Sequence, residues 1–133
     1  AFWAIMGSLF RFDYTLPYDA RIQQLINNNI ALWDVIEKCH RPGSLDTSIV
    51  TDSITVNDFV TLFTAYPTIE FVFFNGGKAE AEFRKRVLPI IKDLPLALHY
   101  ELLPSTSPAN AKMTKAEKLA RWKKVQTVLA IKK

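Results

Sequence analysis

The sequence predicts an α/β protein: a three-layer α/β/α sandwich with a short, mostly parallel central sheet. Three observations carry that expectation. Apolar runs of strand length recur at 30–36, 69–75 and 97–102, with helix-like segments between and after them. The middle run passes through Gly76-Gly77 straight into a helical pattern, as tight strand-to-helix turns do. The last run ends in a loop bracketed by Pro104 and Pro108, and a capped helix follows.

Taken in order, Ala1 to Phe10 is apolar and opens on Phe2-Trp3 without a cap, so it reads as the interior of an element that begins upstream. Pro17 to Asn28 predicts a short helix with Ile22, Leu25 and Ile26 on one face; Asn27-Asn28-Asn29 ends it, because Asn tolerates left-handed backbone. Ile30 to Ile36 reads as a buried strand interrupted by Asp34. Glu37 to Ser44 has turn chemistry, and a polar segment continues through Ser53. A helix is expected from about Asn57, with Phe59, Leu62, Phe63 and Tyr66 on one face and Pro67 as its stop. Ile69 to Asn75 is the clearest strand. Lys78 to Ile91 predicts a helix bent or shortened by Pro89. Thr114 and Glu117 form a capping box. The closing helix carries Leu119, Trp122, Gln126 and Leu129 along one stripe, with lysines opposite.

At 133 residues, 49% of them apolar, the chain is long enough for one domain with a single core. No apolar run approaches roughly 18 residues, so no membrane span is expected. The first residues lack the basic start of a signal peptide. Cys39 is alone, which rules out an internal disulfide and suits a reducing cytoplasm. The net charge is +4 and the pI about 9.3. The basic residues gather at Lys78, Arg84, Lys85 and Arg86, and along the tail from Lys112 to Lys133. Attraction of phosphate and a solvated helix face both account for such groups.

Several stretches bear chemistry. Asn75-Gly76-Gly77-Lys78 suits either an anion at a helix start or a plain tight turn; it lacks the spacing of a P-loop. Asp34 at a strand end could accept from a ring N–H of a base or cap the loop that follows. His40 beside Arg41 suits phosphate or solvent, and His99 a structural place in its strand. Trp3, Trp33 and Trp122 read as core. No spacing of His, Asp and Glu suggests a metal, the zinc-deaminase pattern is absent, and no cofactor is called for. Ser105 and Ser107 lack the Gly-x-Ser-x-Gly context of an esterase nucleophile.

The string Leu103-Pro104-Ser105-Thr106-Ser107-Pro108-Ala109-Asn110 resembles the second signature motif of the uracil-DNA glycosylase superfamily, in the form used by its deoxyinosine (hypoxanthine) DNA glycosylase branch. Ala1 to Gly7, Ile30 to Val35 with Cys39 to Ser44, and Phe73 to Ala79 resemble further segments of that family in the same order. The resemblance implies an α/β/α sandwich that flips a deaminated base, hypoxanthine or uracil, out of duplex DNA and hydrolyses its N-glycosidic bond without a metal. It assigns Asp34, with Trp33, to the base. It assigns Leu103, Pro104, Ser105, Thr106, Ser107, Pro108 and Asn110 to a loop entering the minor groove. Lys78 and Arg41 become phosphate contacts. Leu103 stands where many uracil-specific members carry His, as in the deoxyinosine branch. The family's first strand and its Gly-Ser-x-Pro loop, which positions the water, have no counterpart here. The expectation is therefore a truncated chain, monomeric, acting on double-stranded DNA. A DNA-binding remnant without chemistry and an unrelated phosphate- or nucleotide-binding α/β domain are the competing readings.

Overall fold

The computed structural model describes residues 2–40 and 50–132, with side chains for 2–35 and 56–129. The elements run α1 (Phe2–Phe10), α2 (Tyr18–Asn27), β1 (Ile36–His40), β2 (Val50–Val56), α3 (Phe59–Ala65), β3 (Phe71–Asn75), α4 (Gly77–Arg86), α5 (Leu88–Ile91), β4 (His99–Leu103) and α6 (Lys115–Lys132). β3 and β4 form a two-stranded sheet. The His99 N–H donates to the Glu70 carbonyl at 2.8 Å where the strands begin, and the Gly76 N–H to the Leu103 carbonyl at 3.0 Å where they end. The strands are therefore parallel. They are joined by the long crossover such pairing requires, here α4 and α5.

The mixed α/β class and the parallel pair match the sequence reading; the strand expected at 30–36 does not form there. Residues 31–34 have no regular structure, and Ala31 to Asp34 are exposed. The strand begins later, as β1, and pairs antiparallel with β2 in an irregular register from Ile36↔Val56 to His40↔Val50. An apolar run fixes neither its own ends nor its partner. Here Asn57 decides the start. Its side-chain amide donates to the Asp34 carbonyl at 2.6 Å and its N–H to the Val35 carbonyl at 3.0 Å. β2 lies in a segment whose polarity suggests no strand, although Val50, Thr51, Ile54, Thr55 and Val56 are β-branched. Of the turn expected over 37–44, residues 37–40 belong instead to strand β1, and 41–44 lie outside the described residues.

The chain divides into two compact units, Ala1–Leu32 with Phe73–Gly77 and Glu101–Lys133, and Trp33–Val72 with Lys78–Tyr100. The first is built on Ile5, Met6, Leu9, Leu25, Leu103, Trp122 and Val125. α1 and α2 close with left-handed residues, Arg11 at φ 60° and Asn29 at φ 63°. The next N–H then reaches back five residues, Phe12 to Gly7 at 3.1 Å and Ile30 to Leu25 at 2.9 Å. A Cβ on Gly7 would meet the Phe12 carbonyl at 2.7 Å, so this turn needs glycine. Gln126 of α6 donates to the Leu9 carbonyl of α1 at 2.8 Å. The second unit is aromatic: Phe59 lies 5.4 Å from Phe83 and 6.0 Å from Phe63, and Phe83 lies 5.6 Å from Tyr100. Tyr66 is not part of that face; it is exposed beyond the end of α3. Pro89 breaks the expected long helix after Arg86 and starts α5 instead.

Candidate functional site

The loop after β4 is held from several directions, all within the first unit. Gly76 sits at φ +92°, a conformation side chains rarely adopt. A Cβ there would lie 3.0 Å from the Ser105 Cβ, so only glycine lets the turn after β3 approach the loop this closely. Beside it, the Asn75 amide nitrogen donates to the Thr106 hydroxyl at 3.0 Å, and the Thr106 N–H donates to the Asn75 side-chain oxygen at 2.9 Å. Thr106 is 4% exposed, so these bonds satisfy groups that water cannot reach.

The loop also bonds to itself. The Ser107 N–H donates to the Ser105 hydroxyl and the Ala109 N–H to the Ser107 hydroxyl, both at 3.2 Å. The Asn110 side chain donates to the Ser105 carbonyl at 3.1 Å. The Pro-bracketed sequence predicts hydroxyls and N–H groups turned outward. Instead the Thr106 hydroxyl is buried and three of the N–H groups, those of Ser107, Ala109 and Asn110, are taken up inside the loop. Ser107, Pro108 and Ala109 are exposed at its tip.

α6 completes the support. Its capping box forms in both directions: Glu117 N–H to the Thr114 hydroxyl at 3.1 Å, and Thr114 N–H to the Glu117 carboxylate at 3.2 Å. From the next turns the Lys118 ammonium donates to the Ser107 carbonyl at 3.0 Å, and the Trp122 indole to the Pro104 carbonyl at 2.8 Å. The buried stripe of α6 is Lys118, Trp122, Val125 and Val128, with Leu119, Gln126 and Leu129 flanking it. Lys118 is thus a buried loop support rather than one of the solvated lysines opposite the stripe. Its spacing from Trp122 and Val125, four and then three residues, is the sequence signal that marks it.

The other expected site residues fall elsewhere. Trp33 and Asp34 belong to the second unit. Trp33 is 43% exposed, its ring 5.7 Å from Phe59, so of the three tryptophans it is not core. Asp34 is exposed and its carbonyl is tied to Asn57. A cleft of about 190 Å³ in this unit is lined by Val56 to Val60 and by Val87, Ile90 and Ile91, not by Asp34. Lys78 stands exposed in the first turn of α4, and Arg41 lies outside the described residues. Of the neighbouring cations, Arg84 pairs with Glu80 at 3.4 Å and Arg86 with Glu82, each one turn earlier, so the charge offered by α4 is partly neutralised. His99 is exposed and stacks on Phe71 at 5.1 Å.

Two environments in the second unit shift acidity. Burial raises the Tyr100 phenol above its ordinary value, opposed by the nearby Arg84 charge. The hydrogen bonds from the Thr61 hydroxyl and N–H hold Asp58, the N-cap of α3, below the usual carboxylate value. Among the described residues no group of three or more His, Cys, Asp or Glu could hold a metal ion, and no helix is long and apolar enough to cross a membrane.

Fold and loop together define an α/β protein with a parallel strand–helix–strand unit and a braced loop beyond the carboxyl end of its second strand. Ligands of open α/β sheets bind at that edge. The chain belongs to the hypoxanthine DNA glycosylase family. It is 35% identical to the hypoxanthine DNA glycosylase of Methanosarcina barkeri over 120 residues, which are 88% of this chain and 69% of that protein. It is 30% identical to the hypoxanthine DNA glycosylase of Methanosarcina acetivorans over 125 residues, 93% of this chain and 73% of the relative. No family model and no solved structure matches the chain.

Proposed function

We propose that this protein is a base-excision glycosylase acting on double-stranded DNA that contains a deaminated base, hypoxanthine first and uracil second. The reading is carried by the Leu103–Asn110 loop, braced at four of its residues, in a chain whose relatives are named for hypoxanthine removal. In the reaction a water oxygen bonds to the sugar C1′ while the C1′–N bond to the base breaks. The base leaves with the bonding electrons, the water loses one proton as its oxygen bonds to C1′, and the base anion gains one; hydrogen bonds to the departing anion lower the barrier.

In this reading the Pro104–Asn110 loop, with Ser105 and Asn110 beside its exposed tip of Ser107 and Pro108, forms the wedge that enters the groove and supports the emptied position, while Leu103 and Thr106, both buried, hold it from below rather than touch DNA. A wedge must resist the recoil of the stacked bases, and the bonds to Asn75, Lys118 and Trp122 give it a fixed base. Asp34 accepts from a ring N–H of hypoxanthine or uracil, and Trp33 offers an exposed ring face to the base. Lys78, Arg41 and the exposed lysines of α6 meet phosphate. No residue of this chain is assigned to orienting the water.

The test uses duplexes with a single deoxyinosine or deoxyuridine, treated with this chain and with a version extended upstream of Ala1. Free base is quantified, and abasic strands are scored after alkali. Hypoxanthine release is the expected result. Salt-sensitive DNA binding with no base released by either version overturns the glycosylase reading in favour of a remnant that only binds.

A further inference from the structure

Lys118 has a use that exposed lysines on the same helix cannot share. Among the described residues only Thr106 and Lys118 are polar or charged and buried, Lys118 at 6% exposure. A buried ammonium is unfavourable unless its donors find acceptors, and an aliphatic residue would suit the stripe it shares with Trp122 and Val125 without that cost. Its Nζ meets the Ser107 carbonyl at 3.0 Å; one turn on, the Trp122 indole meets the Pro104 carbonyl at 2.8 Å. Two successive turns of α6 thus hold the Pro104–Ser107 backbone at both ends. The loop tip, Ser107 to Ala109, has exposed side chains and depends on such anchors for its posture. Lys115 and Lys123 of the same helix are exposed and suited to phosphate; Lys118 is not.

We infer that Lys118 is a positioning residue of the base-excision reaction, an internal cation that sets the height of the Pro104–Asn110 loop rather than a contact to DNA. The inference rests on the glycosylase reading. Lys118→Met keeps the stem and removes the donors; Lys118→Arg restores charge and donors. Both are made in whichever version of the chain releases base. Lys118→Met is expected to slow single-turnover base release at saturating enzyme about tenfold. The dependence of DNA affinity on salt should keep its slope, and Lys118→Arg should recover most of the rate. A phosphate-contacting lysine would instead lower that slope by about one. A slope lowered in this way, or release by Lys118→Met at the wild-type rate, overturns the inference. If Lys118→Met does not fold, Lys118→Gln, a neutral donor of shorter reach, takes its place: the same slowing at an unchanged thermal midpoint supports the inference, and a wild-type rate overturns it. The Trp122 indole N–H resonance, assigned by its loss in Trp122→Phe, provides a readout independent of chemistry. It should shift in Lys118→Met and return in Lys118→Arg. If the wild type releases no base, the glycosylase reading fails by itself, and the indole signal in the 133-residue chain still decides whether Lys118 holds the loop.

Discussion

Residues 31–34 and residues 104–110 both lie outside regular structure, and they are built in opposite ways. Each is adjacent to a strand, and the family resemblance implies that residues of each meet DNA. The later segment is braced by side chains from β3, α6 and its own Asn110, and its central Thr106 is buried. The earlier one is exposed throughout, tied at the Asp34 carbonyl to Asn57 and resting Trp33 against Phe59. Irregular backbone is thus not one material. Where side chains fill its hydrogen-bonding needs the fold itself sets its course; where they do not, it is left to solvent.

Four substitutions and one pH experiment can break or sharpen that contrast. The largest effect is expected from Trp122→Ala, which removes a core ring and the donor to Pro104 together; the denaturant midpoint should report a loss of about 3–5 kcal/mol. Gly76→Ala forces a left-handed backbone on a residue with a Cβ and pushes that Cβ at Ser105; a loss of about 2 kcal/mol is expected in the same assay. Asn75→Ala leaves the buried Thr106 N–H and hydroxyl without partners, costing about 1–2 kcal/mol and slowing base release. Trp33→Ala should cost about 1 kcal/mol or less, because its ring is partly solvated, yet raise the substrate concentration needed for half-maximal release. A loss from Trp33→Ala as large as that from Asn75→Ala would dissolve the contrast. The smallest effect belongs to Asp58. Its carboxyl is held below the unfolded value by Thr61, so its contribution is complete above the unfolded carboxylate range and vanishes as pH falls through the lowered value. Thermal midpoints of the wild type and Asp58→Asn should therefore converge on acidification.

Local signals in the sequence read well. The Thr114–Glu117 box, the Asn29 helix stop, the Gly76 turn and the break at Pro89 each depend on the chemistry of a few neighbouring residues, and each forms as expected. What escapes depends on partners far along the chain. The strand expected at 30–36 starts later because residue 57 takes the carbonyls of Asp34 and Val35. β2 escapes because Asp52 and Ser53 interrupt its β-branched residues. The site is legible as a loop but not as a braced one. Lys118 sits at an apolar position of α6, and a lone lysine there reads as a solvated residue unless its place in the stripe is counted.

The turn at Asn75-Gly76 also bears on how the protein ages. An Asn followed by Gly is open to attack by the next backbone nitrogen on its own side-chain carbonyl carbon, with loss of ammonia. In the native fold that nitrogen's hydrogen is engaged by the carbonyls of Phe74 and Leu103, and the vulnerable amide is occupied with Thr106. Each opening of the loop removes both protections at once. The carboxylate that then forms cannot donate to the Thr106 hydroxyl, so a brief excursion would leave a permanent chemical scar where the fold is most closely fitted.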